Sequence, residues 1–435
     1  MSRRIYFDGL NLSLEHGTGI ATYTRLLARL VREIGYGVGV VYSSPNRPAA
    51  NPLLREIAFF DQPRATPVTP FRSLCHHVVD QVANFRGTAP KAINLSGAII
   101  TEQYQSRLPL RDEIFVARNL FSNARVMFNW SGRFAELKFA TPPDILHCTY
   151  QLPLHVKGAC NIYTIHDLVP LRLPFATLDN KRQTYRLLRK IAAEADHIVT
   201  VSEQSRRDIV ELLGVAPDRI TNTYEAVEFP REYIERPDGL VAEQLEAALQ
   251  LEPGGFLLFY GAFEPKKNVA RLIDAYLLSA VDIPLVITGP PGWGTEGEAA
   301  LLQQLTDEER TRRRGRRRFY RLEYVNRSML VTLIRGARAV LFPSLYEGFG
   351  LPVLEAMLLG TAVVTSRTSS LPEVAGEAAI YVNPYDTDDI ARAIKTIVAD
   401  EGLRAELVRR GRLQAELFSV ARYRERVAAL YQRLG

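Results

Sequence analysis

The chain is poor in cysteine. Across 435 residues it has three, Cys75, Cys148 and Cys160, and no C-x-x-C pair. That scarcity argues against a disulfide framework and a cysteine-built zinc site, and points to a reducing compartment. Long apolar runs are also missing: none reaches the ~20 residues that a helix needs to cross a bilayer. The start, Met1-Ser2-Arg3-Arg4-Ile5-Tyr6-Phe7, runs almost directly into a strand without a secretory leader's apolar core. No repeat of solenoid period is visible. These absences leave a globular chain of the cytoplasm. A hydrophobic content of 47% supplies more than one core, and the length suits two or three domains. The formal charge of +6 is modest but unevenly spread.

What is present alternates between strand and helix. Ile5–Phe7 and Val38–Tyr42 read as strands around a helix Ile20–Glu33. Asp144–His147, Ile162–Ile165 and His197–Val201 follow. The second half offers Phe256–Tyr260, Leu285–Thr288, Ala339–Phe342, Ala362–Thr365 and Ala379–Val382, with helices Val269–Ser279 and Ser328–Ala337 between them. Such alternation predicts parallel, doubly wound sheets. Two sheets joined near 228–250 would leave a cleft between the C-terminal ends of their strands, where ligands bind in open α/β sheets. The expected units are 1–228, with 45–140 as an irregular insertion, and 229–415. Residues 416–435 would form a helix that packs back on the first unit.

The densest motif is Phe342-Pro-Ser-Leu-Tyr-Glu347-Gly348-Phe349-Gly350-Leu351-Pro352-Val-Leu-Glu355-Ala-Met357. Two carboxylates stand eight positions apart around a Gly-Phe-Gly turn. Gly348 and Gly350 allow close approach of backbone to a ligand. Pro352 suits the first turn of a helix over Val353–Leu359, whose N-terminus offers N–H groups and a positive dipole end to a diphosphate. Glu347 precedes the helix and Glu355 lies about one turn inside it, so the two can reach opposite sides of that phosphate. The plain alternative is an ordinary helix start with a glycine-rich entry.

This stretch resembles the E-x7-E motif of retaining glycosyltransferases, family 4, and the similarity continues into Ser369-Ser370-Leu371-Pro372-Glu373-Val374. It covers most of the C-terminal half and patches of the N-terminal half. The resemblance implies the GT-B fold, two doubly wound Rossmann-like domains facing each other across a cleft. It further implies that Glu347 holds the transferred sugar and Glu355 the nucleotide ribose, with Gly348, Phe349, Gly350 and Leu351 at the donor.

A second motif, Tyr260-Gly261-Ala262-Phe263-Glu264-Pro265-Lys266-Lys267-Asn268, leaves a strand and enters a helix. Lysines at a helix start oppose the dipole, so an anion is expected there. They would stabilise a leaving diphosphate, although a solvated pair is the alternative. By the resemblance Lys267 is the phosphate ligand and Lys266 a second cation; Ala262 departs from the arginine many members carry. The third motif is Thr164-Ile165-His166-Asp167. Asp167 could orient the imidazole, and the resemblance places His166 near the anomeric centre, whereas a lone histidine at a strand end is more often structural. Gly17-Thr18-Gly19 resembles the family's glycine loop but is also a common tight turn. Ser202 would cap a helix; the resemblance turns Ser202 and Arg206 toward the cleft. Gly289-Pro290-Pro291-Gly292-Trp293 reads equally as a turn or a base-side loop. Glu373 reads as structural.

Residues Arg310–Arg318 carry seven arginines in nine positions. They read either as a solvated loop or as a patch for anionic lipid headgroups; nucleic acid ranks last, since no aromatic platform accompanies the run. No loop reads as a D-x-D metal site, so charge neutralisation would fall to Lys266, Lys267 and the helix N-terminus, without metal or other cofactor. The resulting expectation is a metal-independent retaining hexosyltransferase. It would move mannose from GDP-mannose to a glycan or lipid-linked glycan, working at the inner membrane face. A sugar-nucleotide hydrolase or epimerase on the same scaffold, and a non-catalytic glycan-binding protein, are the competing classes.

Overall fold

The computed structural model describes residues 3–13, 19–61, 87–105, 108–290, 292, 297 and 318–434. Its N-terminal sheet is built from β1 (Arg4–Asp8), β2 (Gly37–Ser44), β3 (Lys91–Ile93), β4 (Glu113–Arg118), β5 (Ile145–Cys148), β6 (Cys160–Thr164), β7 (His197–Thr200) and β8 (Ile220–Asn222). Their order is β8-β7-β6-β5-β1-β2-β4-β3, and only β3 runs antiparallel to its neighbour. The second sheet has β9 (Leu257–Tyr260), β10 (Leu285–Thr288), β11 (Phe319–Leu322), β12 (Ala339–Phe342), β13 (Val363–Ser366) and β14 (Ala379–Val382), in the order β11-β10-β9-β12-β13-β14 and parallel throughout. The helices that matter below are α1 (Gly19–Glu33), α2 (Leu120–Ser131), α3 (Glu203–Leu213), α4 (Val269–Ser279), α5 (Leu351–Leu358), α6 (Leu371–Ala375) and α7 (Val420–Leu434).

The strands read as near-continuous apolar runs because helices cover both faces of each sheet. Every residue of β9, β10 and β12 is buried. In α1 the buried positions Ala21, Tyr23, Thr24, Leu27, Ala28, Leu30 and Val31 follow a period near 3.6, which lays one face on the sheet. Among the described residues no helix is long and apolar enough to span a membrane.

The stretch 45–140 departs from the expected irregular insertion. Within it β4 pairs with β2 over six residues, Gly39↔Glu113 to Ser44↔Arg118, and α2 follows at once. The signal was hidden because β4 is flanked by charges, Arg111-Asp112-Glu113 and Arg118, rather than by turn residues.

Strand order reverses once in each sheet. In the first, successive strands run outward from β1 to β2, and β5 then returns to β1's other side. In the second the reversal lies between β9 and β12. A crevice opens at such a switch point, at the C-terminal ends of the strands. Here the two crevices face one another.

The last helix ties the domains together. α7 leaves the C-terminal domain and lies on α1. Its Tyr431 hydroxyl meets His147 Nδ1 at 2.6 Å, and His147 Nε2 meets Thr164 Oγ1 at 2.7 Å. Burial, with His166 and His197 nearby, drives His147 down to about 3, so its ring is neutral. Tyr431→Phe would leave a fully buried ring nitrogen unpaired. We expect a loss of about 1–3 kcal/mol, measured by urea unfolding; an unchanged midpoint would show that α7 is held by packing alone.

Candidate active site

The site forms where both reversals meet. β9 ends at Tyr260, and Gly261 (φ +143°) turns the chain into the lysine loop. β12 ends at Phe342, and the chain returns through Glu347 to α5. Two contacts lock these loops together. Leu345 N donates to Lys266 O at 2.7 Å. Asn268, left-handed at φ +61° and buried, donates from Nδ2 to Pro343 O at 3.0 Å and to Pro384 O at 2.7 Å.

This locking brings the predicted charges together. Lys267 Nζ donates to Glu347 Oε1 at 2.6 Å, and Lys266 Nζ lies 3.8 Å from Glu347 Oε2 and 3.7 Å from Glu264 Oε2. Lys267 also sits over the Phe342 ring, 4.7 Å from its centroid. Burial pushes the Glu347 carboxyl up, but Lys267 and Lys266 outweigh it and hold the group below its ordinary value. Burial likewise opposes the charge on Lys266, and Glu347, Asp167 and Glu264 together raise its pKa regardless. Glu347 and Lys266 are therefore ionised, because the desolvation of each is offset by close partners of opposite sign. Position 262 is alanine, yet Arg321 of β11 lays its guanidinium over Phe263, 4.3 Å from the ring centroid.

Glycine is required twice in the turn that follows. A Cβ on Gly348 would stand 2.7 Å from His166 O, and Gly350 adopts φ +115° with Leu371 Cδ2 2.8 Å from where a Cβ would be. Phe349 is buried and packs on Phe418 and Tyr224, with centroids 5.4 and 6.4 Å apart. α5 begins at Leu351, has proline in its first turn, and no side chain caps it. Across the cleft, Gly19 opens α1 with its Cα facing Leu351: a Cβ there would sit 3.4 Å from Leu351 Cδ1. Gly17 and Thr18 lie outside the described residues, as does Trp293.

Glu355 stands one turn into α5 and is partly buried. Burial pushes its carboxyl up to about 7, against a hydrogen bond from Tyr260 and the charge of Arg327. The E-x7-E pair thus has two electrostatic characters: one carboxylate is held ionised by lysines, the other close to half-protonated at neutral pH.

On the N-terminal side, His166 lies two residues past the end of β6 and is buried. Its Nδ1 faces Glu225 Oε1 at 3.2 Å and its Nε2 faces Thr149 O at 3.0 Å. The expected partner, Asp167, instead accepts from Val169 N at 3.1 Å. Ser202 caps α3, its Oγ accepting from Ser205 N at 3.0 Å. Arg206 turns away, to Glu203 (3.4 Å) and Pro217 O (3.1 Å). Neither side chain joins the charged cluster. Ser205 does bridge the cleft: its Oγ is 2.9 Å from His166 O and 3.3 Å from Gly348 O. Glu373 bridges it as well, its carboxylate accepting from Glu203 N (2.8 Å) and Gln204 N (3.3 Å) at the start of α3. Tyr346 reaches across to Asp208. Sequence reasoning missed Glu225, Thr149, Ser205 and Tyr346, because each acts through a contact distant in the chain. Asp386 and Asp388 do have D-x-D spacing, which the sequence reading passed over. Asp386 caps the helix Thr387–Ala399, accepting from Asp389 N at 3.0 Å.

A cavity of about 630 Å³ opens beside this cluster, with His166, Asp167, Glu264 and Lys266 on one wall. The opposite wall, from α2 and the segment around 150–188, supplies Arg125, Asn129, Tyr150, Gln151, Asp179 and Gln183.

Comparison with known proteins places this geometry. The model described as glycosyl transferases group 1 matches residues 242–414, and that described as glycosyltransferase family 4 matches 98–228. The O-antigen chain mannosyltransferase B of Escherichia coli is 36% identical over 275 residues, spanning 62% of this chain and 69% of that one. The chain belongs to glycosyltransferase family 4. The serotype-specific mannosyltransferase WbdA of Escherichia coli is 30% identical over 264 residues, but the match spans only 31% of its length. Among solved structures, Anabaena HepE in complex with UDP and glucose aligns over 99% of this chain at TM-score 0.65 and 14% identity. WaaG, a glycosyltransferase involved in lipopolysaccharide biosynthesis, aligns over 98% at TM-score 0.62 and 15% identity. These likenesses show that this family 4 member has the GT-B fold.

The raised Glu355 carboxyl gives a signed pH dependence. The folded family 4 chain keeps that proton between the ordinary value of 4.5 and about 7, where the unfolded chain has lost it. Stability therefore falls as pH climbs through that window and levels off above it. Glu355→Gln removes the cost of ionising the site. It should raise Tm at pH 8 and leave it nearly unchanged at pH 5, read by differential scanning calorimetry; equal shifts at both pH values would refute this.

Proposed function

We propose that this glycosyltransferase transfers mannose from GDP-mannose, with retention, to a hydroxyl of a glycan or lipid-linked glycan in polysaccharide biosynthesis. The observation that carries the reading is the buried Lys266–Glu347–Lys267 cluster at the meeting of two switch points, open to a polar cavity. The names of the O-antigen mannosyltransferase relatives support the sugar and the pathway class.

In this reading the diphosphate lies over the start of α5 and takes Lys267 and Lys266 as counter-cations. No metal is needed, because charge developing on the leaving phosphate meets cations already in place. Glu347, released from Lys267 as the phosphate replaces it, accepts hydroxyls of the transferred sugar. Glu355 accepts from the ribose. The acceptor enters the cavity, where the amides of Asn129, Gln151 and Gln183 and the ring of Tyr150 suit a neutral saccharide. Attack comes from the leaving-group face, and the departing phosphate takes the acceptor's proton.

A thermal-shift screen of nucleoside diphosphates and their sugars tests the donor, since selective binding stabilises the folded state. GDP-mannose and GDP should raise Tm more than the uridine counterparts. Lys267→Ala should weaken GDP by at least about tenfold, the loss of ~1.4 kcal/mol, while guanosine binding changes little. Transfer should survive EDTA. Selective stabilisation by UDP-glucose, or magnesium-dependent transfer, would overturn the donor or the metal-free mechanism respectively.

The inner membrane face is proposed as the place of action, through Arg310–Arg318. Of that run only Arg318 lies within the described residues, its guanidinium 5.3 Å from the Tyr276 ring centroid. Clustered cations repel one another and gain from an anionic surface. The protein should sediment with vesicles containing phosphatidylglycerol and not with phosphatidylcholine alone, and salt should release it. A variant with Arg312, Arg313, Arg316 and Arg317 changed to Gln that binds as well as wild type would show the run to be only a solvated loop.

A further inference from the structure

His166 is the one titratable side chain of the cavity wall whose two ring nitrogens both face acceptors. Nδ1 meets the Glu225 carboxylate at 3.2 Å and Nε2 meets the Thr149 carbonyl at 3.0 Å. A neutral imidazole carries one N–H and can satisfy only one of them; the imidazolium donates to both. Neither acceptor is free to turn away. Thr149 is clamped by Asp8, whose Oδ2 accepts from Thr149 N at 2.5 Å and from Thr149 Oγ1 at 2.9 Å. Glu225 is itself buried. The Tyr23 ring stands edge-on to the imidazole, centroids 4.9 Å apart at 81°, which blocks reorientation.

We propose that Glu225 is a positioning residue for the transfer: with the Thr149 carbonyl held by Asp8, it fixes His166 as a doubly donating cation. This rests on the transferase reading above. It assigns His166 the task of a fixed positive charge on the cavity wall, beside the Gly348 turn. His166 then has no lone pair to offer, so the acceptor's proton leaves by another route.

The surrounding charges agree. Burial lowers the basicity of His166, but Glu225, the Thr149 carbonyl and Asp167 outweigh it. The other titratable groups facing the pair are His147 of β5, neutral, Tyr23 of α1 and Tyr423 of α7, with Lys266 on the same cavity wall. The two tyrosines are held neutral by burial, so the acidic side chains acting on His166 are Glu225, in contact with it, and Asp167. Its placement is also informative. Residues 223–230 carry the chain between domains, and consecutive residues there touch both halves of the site. Tyr224 packs on Phe349, while Glu225 holds His166.

The test uses the full chain with isotope-labelled histidine, His166→Asn serving to assign the resonance among seven. In the wild type the His166 ring should remain protonated at pH 7.5. A neutral ring at pH 7 overturns the proposal without any activity measurement, and this arm stands even if variants fold poorly. In Glu225→Gln the titration midpoint should fall by more than about one pH unit, since a neutral amide no longer favours the charged form. Turnover at pH 7.5 should drop about tenfold with the donor KM nearly unchanged, and the alkaline limb of the rate profile should move down with the midpoint. Glu225→Asp should restore most of both. An unmoved midpoint refutes the pairing; a moved midpoint with unaltered turnover refutes its use in transfer. If no nucleotide sugar is turned over at all, the transferase reading fails while the titration still decides the pairing.

Discussion

Burial of charge is the constraint on which the rest of this molecule depends. Glu347 is enclosed by protein, and an unpaired carboxylate there would be protonated rather than ionised. Lys267 and Lys266 keep it charged, and they can do so only because the two loops carrying them are pinned to one another through Leu345, Asn268 and the adjoining strand ends. The same enclosure holds two lysines desolvated beside one carboxylate, and under the proposed function a phosphate would take that carboxylate's place without recruiting cations from solvent.

From that constraint the role of the second domain follows. The N-terminal sheet contributes His166, held between an acid and a carbonyl, and a cavity wall of amides and hydroxyls. Its contacts to the C-terminal domain combine polar bridges, Ser205 to Gly348 O, Glu373 to the first N–H groups of α3 and Tyr346 to Asp208, with an apolar patch in which Leu345 packs on Val169, Leu173 and Ala176. Glu373 accepts from the first two N–H groups of α3, beside the Ser202 cap, at a helix start whose dipole favours an anion. It had read as merely structural from its motif, and its partner lies 170 residues away.

Much was legible before any coordinates. Strand–helix alternation identified the doubly wound sheets, and several strands, such as Leu285–Thr288 and Ala379–Val382, keep the boundaries read from their apolar runs. Leu285–Thr288 is buried on both faces and Ala379–Val382, at the sheet edge, is apolar throughout though only Val382 is fully buried, so hydrophobicity alone marks both. β3, β4, β8 and β11 were missed: β4 has charged flanks, and the other three are short edge strands with one buried residue each. The lysine loop and Glu347 stood out because local chemistry announces them, a helix start bearing two cations needing an anion, and the structure brings them into contact. Glu225 and Thr149 carried no such signal. An acid after an edge strand and a threonine after a buried one are ordinary in isolation.

The sequence by itself determined the parallel architecture, the E-x7-E turn and the family, since each rests on local spacing or on a run of neighbouring residues. Only the tertiary structure decided which charges pair. It set Lys267 against Glu347, Glu225 rather than Asp167 against His166, and Ser202 and Arg206 in contacts outside the charged cluster. The physical reason is that a parallel sheet brings together residues from strand ends far apart in the chain. Pairing energies in a buried site depend on those distances and on the loss of water, and neither is written in local sequence.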